Sequence, residues 1–189
     1  MNILLRLSPL VTLIGCVSTA TQSPSPEHYP SAASPSPPAE HYFDCDVPPG
    51  RFSEWSRTVS TRAVRLSGTV ELIEPRHDEH WRPVASIYIG GTNSAAGLRA
   101  YVDWDSPEML HFVLAGPGAS GPSSPAVVSV PWQRQVTPFS VSLSESGELK
   151  VSAGSGAQTL HLKAFEVRSI QLACSTAQFK FRGVIVGGT

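Results

Sequence analysis

The sequence predicts an all-β protein, built as an antiparallel β-sandwich, and three observations support that class. Apolar and polar residues alternate at period two in short segments after residue 43, as they do in half-buried strands. Glycine, proline, aspartate and serine separate these segments at spacings of roughly eight to fourteen residues, which is typical of sandwiches and barrels. No window carries apolar residues at i, i+3, i+4 and i+7 over three turns, so no amphipathic helix is expected.

The first clear strands are expected in the middle of the chain. In the segment RAVRLSGTVELIEP, four apolar residues share one face, and they are Val64, Leu66, Val70 and Leu72. Three more segments of the same texture follow: PVASIYIGG, LRAYVDW and EMLHFVLAG. The sequence Asp105-Ser106-Pro107 is expected to form the turn between the last two, because proline favours tight connections.

The later part of the chain repeats this pattern with clearer hairpins. FSVSLSESGELKVSAG alternates on both sides of Glu145-Ser146-Gly147, which is a turn signal, and the segments QTLHLKAF, SIQLAC and QFKFRGVIV complete the series. Closely spaced hairpins favour antiparallel sheets that have one face in the core and one in water.

The first residues carry the features of an export signal. One arginine is followed by a short apolar run, which is too short to span a bilayer of about 30 Å. At this point Leu13-Ile14-Gly15-Cys16 resembles the lipobox of bacterial lipoproteins. The resemblance implies cleavage after residue 15, lipidation of Cys16 and attachment to the membrane. Val17, in place of an aspartate, implies the outer membrane, with the domain facing the periplasm or the cell surface. An ordinary secretory signal is the alternative.

Residues 16–42 are expected to form a disordered tether between this signal peptide (1–15) and a sandwich domain (43–189). The segment is dense in serine, proline and alanine and has little to bury, so it cannot offset its ordering entropy. Cys45 and Cys174 then remain as an even number of cysteines in an exported domain, which favours a disulfide between them. Two buried free thiols are the alternative.

The hairpin centred on Ser146-Gly147 and the terminal strand QFKFRGVIV resemble the concanavalin A-like jelly rolls, a group that includes lectins, laminin-G-like modules and glucanases. In that fold the first and last strands lie side by side. The resemblance therefore implies a jelly-roll topology that would suit a bridge between Cys45 and Cys174.

Carbohydrate binding is the first functional hypothesis. The net charge of −1 offers no field that would gather phosphate backbones, so nucleic-acid binding is not expected. Sugar sites need planar aromatic rings beside polar groups. Trp81, Trp104, Asp103 and Asp105 are the expected contacts, although a tryptophan in a sandwich often fills the core instead. A structural lipoprotein that docks another envelope protein is the second hypothesis.

A glycoside hydrolase is the third hypothesis. Asp103 and Asp105 are two positions apart and are expected to share a strand face, and jelly-roll glucanases carry a related acidic pattern on one strand. The aspartate at the first position and Pro107 depart from that pattern, so catalysis is not expected. His77 and His80 flank two acidic residues in an order that does not fit zinc proteases. No cofactor or metal is expected, although calcium is left open.

Overall fold

The computed structural model describes residues 39–117, 124–133 and 135–188, and these form twelve β-strands. In this part of the chain no helix is long and apolar enough to cross a membrane. The strands are β1 Glu40–Asp46, β2 Phe52–Thr61, β3 Val64–Pro75, β4 Val84–Gly90, β5 Ala95–Asp103, β6 Ser106–Ala115, β7 Ala126–Pro131, β8 Val136–Leu143, β9 Glu148–Ala153, β10 Gly156–His161, β11 Val167–Ser175 and β12 Ala177–Gly187.

The strands form two antiparallel sheets of six strands each. The first sheet has the order β1-β12-β3-β8-β9-β10, and the second has the order β2-β11-β4-β5-β6-β7. The predicted antiparallel sandwich is therefore confirmed. The first and last strands, β1 and β12, lie side by side, as the concanavalin A-like resemblance implied.

The core lies between the sheets and consists of the inward side chains of both. Val64, Leu66, Val70 and Leu72 are at most 2% exposed, which confirms the face predicted for the segment that contains them. Each fully buried large side chain contributes roughly 1.5 to 3 kcal/mol through removal from water. The largest of them are Phe112, Phe179, Phe181, Leu66 and Ile87.

A disulfide joins Cys45 in β1 to Cys174 in β11, and its two Cα atoms are 6.1 Å apart. The predicted pairing is therefore confirmed. Because β1 belongs to the first sheet and β11 to the second, the bond ties the two layers together directly. Both cysteines are buried.

Three strands were not predicted from the sequence, namely β1, β2 and β7, and all three are edge strands. An edge strand buries fewer of its side chains, so its alternation of apolar and polar residues is weak. In β2, for example, none of the ten residues is fully buried. The strand β1 also begins at Glu40, three positions before the domain start expected at residue 43. The signal peptide, Cys16 and the tether up to residue 38 lie outside the described residues.

The link between β5 and β6 differs from the prediction. The turn consists of Trp104 and Asp105, whereas Ser106 and Pro107 already belong to β6. A turn is present as expected, but its predicted extension over Ser106 and Pro107 is wrong. Proline has no amide hydrogen to donate and is tolerated in a strand where the pairing is irregular. The register between β5 and β6 shifts at this place, which accommodates Pro107.

Candidate functional site

The outer face of the second sheet carries a row of polar and aromatic side chains on its two central strands. In the register of β4 and β5, Ser86 lies opposite Arg99 and Val84 lies opposite Tyr101. Side chains alternate between the two faces of a strand, so these residues point away from the core, and all four are half-buried. They form the floor of two adjoining depressions.

The charged depression has a volume of about 420 Å³ and is lined by Arg82, Val84, Arg99, Tyr101, Asp103, Val113 and Ser124. Arg99 donates to the Tyr88 hydroxyl from Nε at 3.2 Å and from Nη2 at 2.7 Å, which fixes the orientation of its guanidinium group. Arg82 pairs with Asp103 at 3.3 Å. Arg99 takes part in no ion pair within the described residues. Among the described residues, the depression therefore holds a guanidinium group that forms no ion pair with a carboxylate.

The aromatic depression has a volume of about 200 Å³ and is lined by Phe52, Trp81, Val84, Ser86, Ala173, Cys174 and Ser175. Phe52 is 73% exposed and Trp81 is 56% exposed, so both rings present large apolar areas to solvent. Val84 lines both depressions, which makes them neighbours on one surface. Exposed rings next to fixed polar groups are typical of a binding surface.

Hydrogen bonds between side chains and the backbone hold the loop that presents Trp81. Asp78 Oδ1 accepts from the amide groups of His80 at 2.9 Å and of Trp81 at 3.0 Å, which forms an Asx turn. Ser175 Oγ donates to the carbonyl oxygen of Arg82 at 3.3 Å, which connects the loop to the end of β11. Gly50 has a φ of +69°, and a Cβ atom there would lie 3.1 Å from Asp78 Oδ2. The approach of the neighbouring β1–β2 loop therefore favours glycine at this position.

The four predicted contact residues do not all meet at one place. Trp81 lines the aromatic depression and Asp103 lines the charged depression. Trp104 is 36% exposed and contacts the His77 ring at a centroid distance of 4.8 Å, and it lines neither depression. Asp105 lies in the turn after β5. The expectation that Asp103 and Asp105 share a strand face is therefore wrong, because β5 ends at Asp103.

Sequence reasoning missed several residues of this surface. Tyr88, Arg99 and Tyr101 occupy the outward positions of strands that were themselves predicted, so their alternation with buried residues was available as a signal. Phe52 begins an edge strand that was not predicted, and no pattern in the sequence indicated its role.

The ionisable groups near the depressions do not converge on a metal site. Within the described residues no group of three or more His, Cys, Asp or Glu side chains could hold an ion. The clear pKa shifts lie elsewhere. Hydrogen bonding to Asp46 raises the pKa of Arg76, Lys150 lowers the pKa of Glu148 through a hydrogen bond, and a hydrogen bond from Ser60 lowers the pKa of Glu166.

Comparison with known proteins identifies the fold. No family model matches the chain, and no curated protein sequence matches it. A family 18 polysaccharide lyase matches in structure with a TM-score of 0.55 and 8% identity over 77% of this chain and 87% of its own. An alginate lyase from Alteromonas sp. 272 has a TM-score of 0.55 and 7% identity over 77% and 86%, respectively. Bacillus licheniformis β-glucanase has a TM-score of 0.52 and 7% identity over 79% and 78%. At such identities the likeness shows the fold alone, and it confirms the predicted jelly roll of concanavalin A-like type.

Proposed function

We propose that this protein is a carbohydrate-binding module that binds a polysaccharide on the outer face of its second sheet and does not hydrolyse glycosidic bonds. The observation that carries the proposal is the pair of adjoining depressions, one aromatic and one charged. A sugar ring has an apolar C–H face and a rim of hydroxyl groups. Phe52 and Trp81 offer the apolar contact, and the polar groups around Arg99 offer hydrogen bonds.

The charge of the surface favours an acidic polysaccharide. The guanidinium group of Arg99 has a neutral phenol as its hydrogen-bond partner and is held in one orientation by two bonds. A guanidinium group binds a carboxylate through two parallel hydrogen bonds, so a uronate unit would neutralise Arg99. Proteins described as a polysaccharide lyase, an alginate lyase and a β-glucanase share the fold, which is consistent with a polysaccharide ligand.

The arrangement of the acidic residues supports binding without glycosidic hydrolysis. Glycoside hydrolysis generally needs two carboxyl groups about 5 to 9.5 Å apart, facing each other across the sugar. Asp103 is paired with Arg82, and Asp105 lies in the turn beyond the strand. The hypothesis of a glycoside hydrolase is therefore not carried forward.

We propose that the module lies in the cell envelope, anchored in the outer membrane through a lipid on Cys16, with the tether giving it reach into the periplasm or beyond the cell surface. The disulfide between Cys45 and Cys174 supports an oxidising compartment. The intact mass of protein purified from membranes tests this part of the proposal. Cleavage before Cys16 with added acyl groups is the expected result, and an uncleaved, unlipidated chain would contradict it.

The exposed apolar side chains favour a sugar ligand over a docked envelope protein. Docking would call for a contiguous apolar patch. Among the large apolar side chains exposed in the described residues, only Phe52 and Trp81 line one depression together, whereas Tyr42 and Val136 lie on strands of the other sheet.

Affinity electrophoresis of the full chain in gels that contain single polysaccharides, both acidic and neutral, tests the proposal. We expect at least one polysaccharide to retard the wild-type protein. Trp81→Ala and Phe52→Ala are each expected to weaken that binding about tenfold or more, which corresponds to about 1.4 kcal/mol. Tyr42→Ala is the matched control, because it removes an aromatic ring that is 58% exposed on the other sheet.

Two further variants separate the contributions of the surface. Arg99→Gln is expected to weaken binding to acidic polysaccharides more than binding to neutral ones. Trp104→Ala is expected to have a smaller effect than Trp81→Ala, since Trp104 lines neither depression. Retardation by none of the polysaccharides, or equal retardation of wild type and Trp81→Ala, would contradict the proposal.

A further inference from the structure

A bulge at the start of β6 places a serine beside a histidine. Val102 pairs with Leu110, but the next residue of β5, Asp103, pairs with Ser106. A regular ladder would pair Asp103 with Met109, so three extra residues lie on β6 between the two pairs. Bulges of this kind redirect side chains and are frequent next to functional sites.

Trp132 holds the bulge in place from the side. Its indole Nε1–H donates to the carbonyl oxygen of Pro107 at 2.8 Å, and its backbone amide donates to the carbonyl oxygen of Glu108 at 3.2 Å. The ring also packs against the hydrophobic core. The irregular backbone is thus hydrogen-bonded to Trp132 and, through that residue, connected to the core of the sandwich.

The bulge completes a chain of three side chains on the outer face of the second sheet. Residues five positions apart on a regular strand point to opposite faces, yet here Ser106 Oγ lies 2.7 Å from His111 Nε2. Ser129, which lies opposite His111 on β7, places its Oγ 2.8 Å from His111 Nδ1. A neutral imidazole carries a single N–H, so one serine accepts a hydrogen bond from the ring and the other donates to it.

We infer that the hydrogen-bonded side chains of Ser106, His111 and Ser129 form a nucleophilic serine site that acts on esters. Ser106 attacks the ester, and His111 Nε2 takes the proton of its hydroxyl group. Ser129 accepts a hydrogen bond from His111 Nδ1–H and so orients the ring. A nucleophile within about 2.6 to 3.2 Å of a base, which is in turn oriented by a third group, is the arrangement that activates a serine. Ser106 is assigned as the nucleophile because it lies opposite Asp103, which lines the charged depression, whereas Ser129 lies exposed on an edge strand.

The reaction would be removal of an O-acyl group. Ser106 Oγ forms a bond to the acyl carbonyl carbon, and its proton passes to His111 Nε2. The ester bond then breaks, and the leaving alcohol takes that proton. Water attacks the acyl-serine in turn, with His111 accepting its proton and returning it to Ser106, and a carboxylic acid is released. Ser106 lies opposite Asp103, which lines the charged depression, so the substrate class that we assign is an O-acetylated sugar bound there. Simple esters suffice to measure this activity, so its test does not depend on the proposed polysaccharide binding.

Labelling of the full chain with a fluorophosphonate, followed by peptide mass spectrometry, tests the assignment. A single adduct on Ser106 is expected, together with hydrolysis of p-nitrophenyl acetate. His111→Gln is expected to reduce both by about a hundredfold, because a positioned base contributes roughly 10² to 10⁴. Ser106→Ala is expected to abolish the adduct. Ser152→Ala and His161→Gln, which alter the same residue types on the first sheet, are the controls and are expected to react like wild type.

Three results would overturn the inference. They are the absence of any adduct on the wild-type protein, an adduct on Ser129 in place of Ser106, and equal hydrolysis by wild type and His111→Gln. The wild-type labelling alone decides the question if a variant fails to fold. Loss of polysaccharide binding with labelling intact would instead refute the proposed function and leave this site standing.

Discussion

Removal of the disulfide between Cys45 and Cys174 is expected to destabilise the domain strongly. The two residues are 129 positions apart, and closing a loop of that length removes entropy from the unfolded chain that is worth about 5 kcal/mol. A domain is stable by only about 5 to 15 kcal/mol in total. The variant Cys45→Ala/Cys174→Ala is therefore expected to lie close to the limit of folding, with a melting temperature lowered by roughly 10 to 20 °C.

Unfolding in guanidinium chloride, followed by tryptophan fluorescence, measures this difference in the free energy of unfolding. The reference protein and the double variant both carry Cys16→Ser, so that the reference protein has no cysteine outside the disulfide. Alanine is used because both cysteines are buried and a methyl side chain adds no polar group to the interior. A loss below about 1 kcal/mol would refute the view that the bond acts by constraining a long loop.

Three other expectations concern the core, the acid range and the Trp81 loop. Phe112→Ala, at a fully buried position, is expected to lower the free energy of unfolding by about 3 to 5 kcal/mol in the same assay, and a loss below about 1 kcal/mol would contradict its place in the core. The hydrogen bond from Ser60 lowers the pKa of Glu166, so Glu166 stabilises the fold at neutral pH and loses this effect as the pH falls through its lowered pKa. Urea unfolding at several pH values is expected to show Glu166→Gln less stable than wild type at neutral pH, with the gap closing in acid, whereas a constant gap would contradict this. Asp78→Ala removes the Asx turn beneath Trp81 and is expected to weaken polysaccharide binding in affinity electrophoresis, and unchanged binding would show that the turn is not needed.

The sequence predicts the central strands well because their core-facing and solvent-facing residues alternate between apolar and polar types. In β3, the alternation of buried Val64 and Leu66 with exposed Arg65 is visible in the letters themselves. The alternation is weaker in an edge strand such as β2, which has one neighbouring strand and no fully buried residue. The bulge at Pro107 was also not predicted. A proline after Asp105 and Ser106 predicts a turn unless it is known how β5 and β6 pair.

The candidate site could be predicted only in part. Trp81 and Asp103 were found because tryptophan and aspartate are conspicuous in a polar segment, and they do line the two depressions. The grouping itself depends on which strands are neighbours. Phe52 begins β2 whereas Trp81 lies in the loop before β4. Ser106, His111 and Ser129 meet only through a bulge and the register of β6 with β7. Such juxtapositions are properties of the tertiary structure and leave no local pattern.

The measurement that tests the central claim most directly is a nuclear magnetic resonance titration of the ¹⁵N-labelled chain with the polysaccharide fragments that retard it in gels. We expect shifts of the amide signals around Phe52, Trp81 and Arg99, on the outer face of the second sheet, with little change in β8, β9 and β10. Shifts confined to the first sheet, or no shifts with any fragment, would contradict the claim that the two adjoining depressions bind a sugar chain.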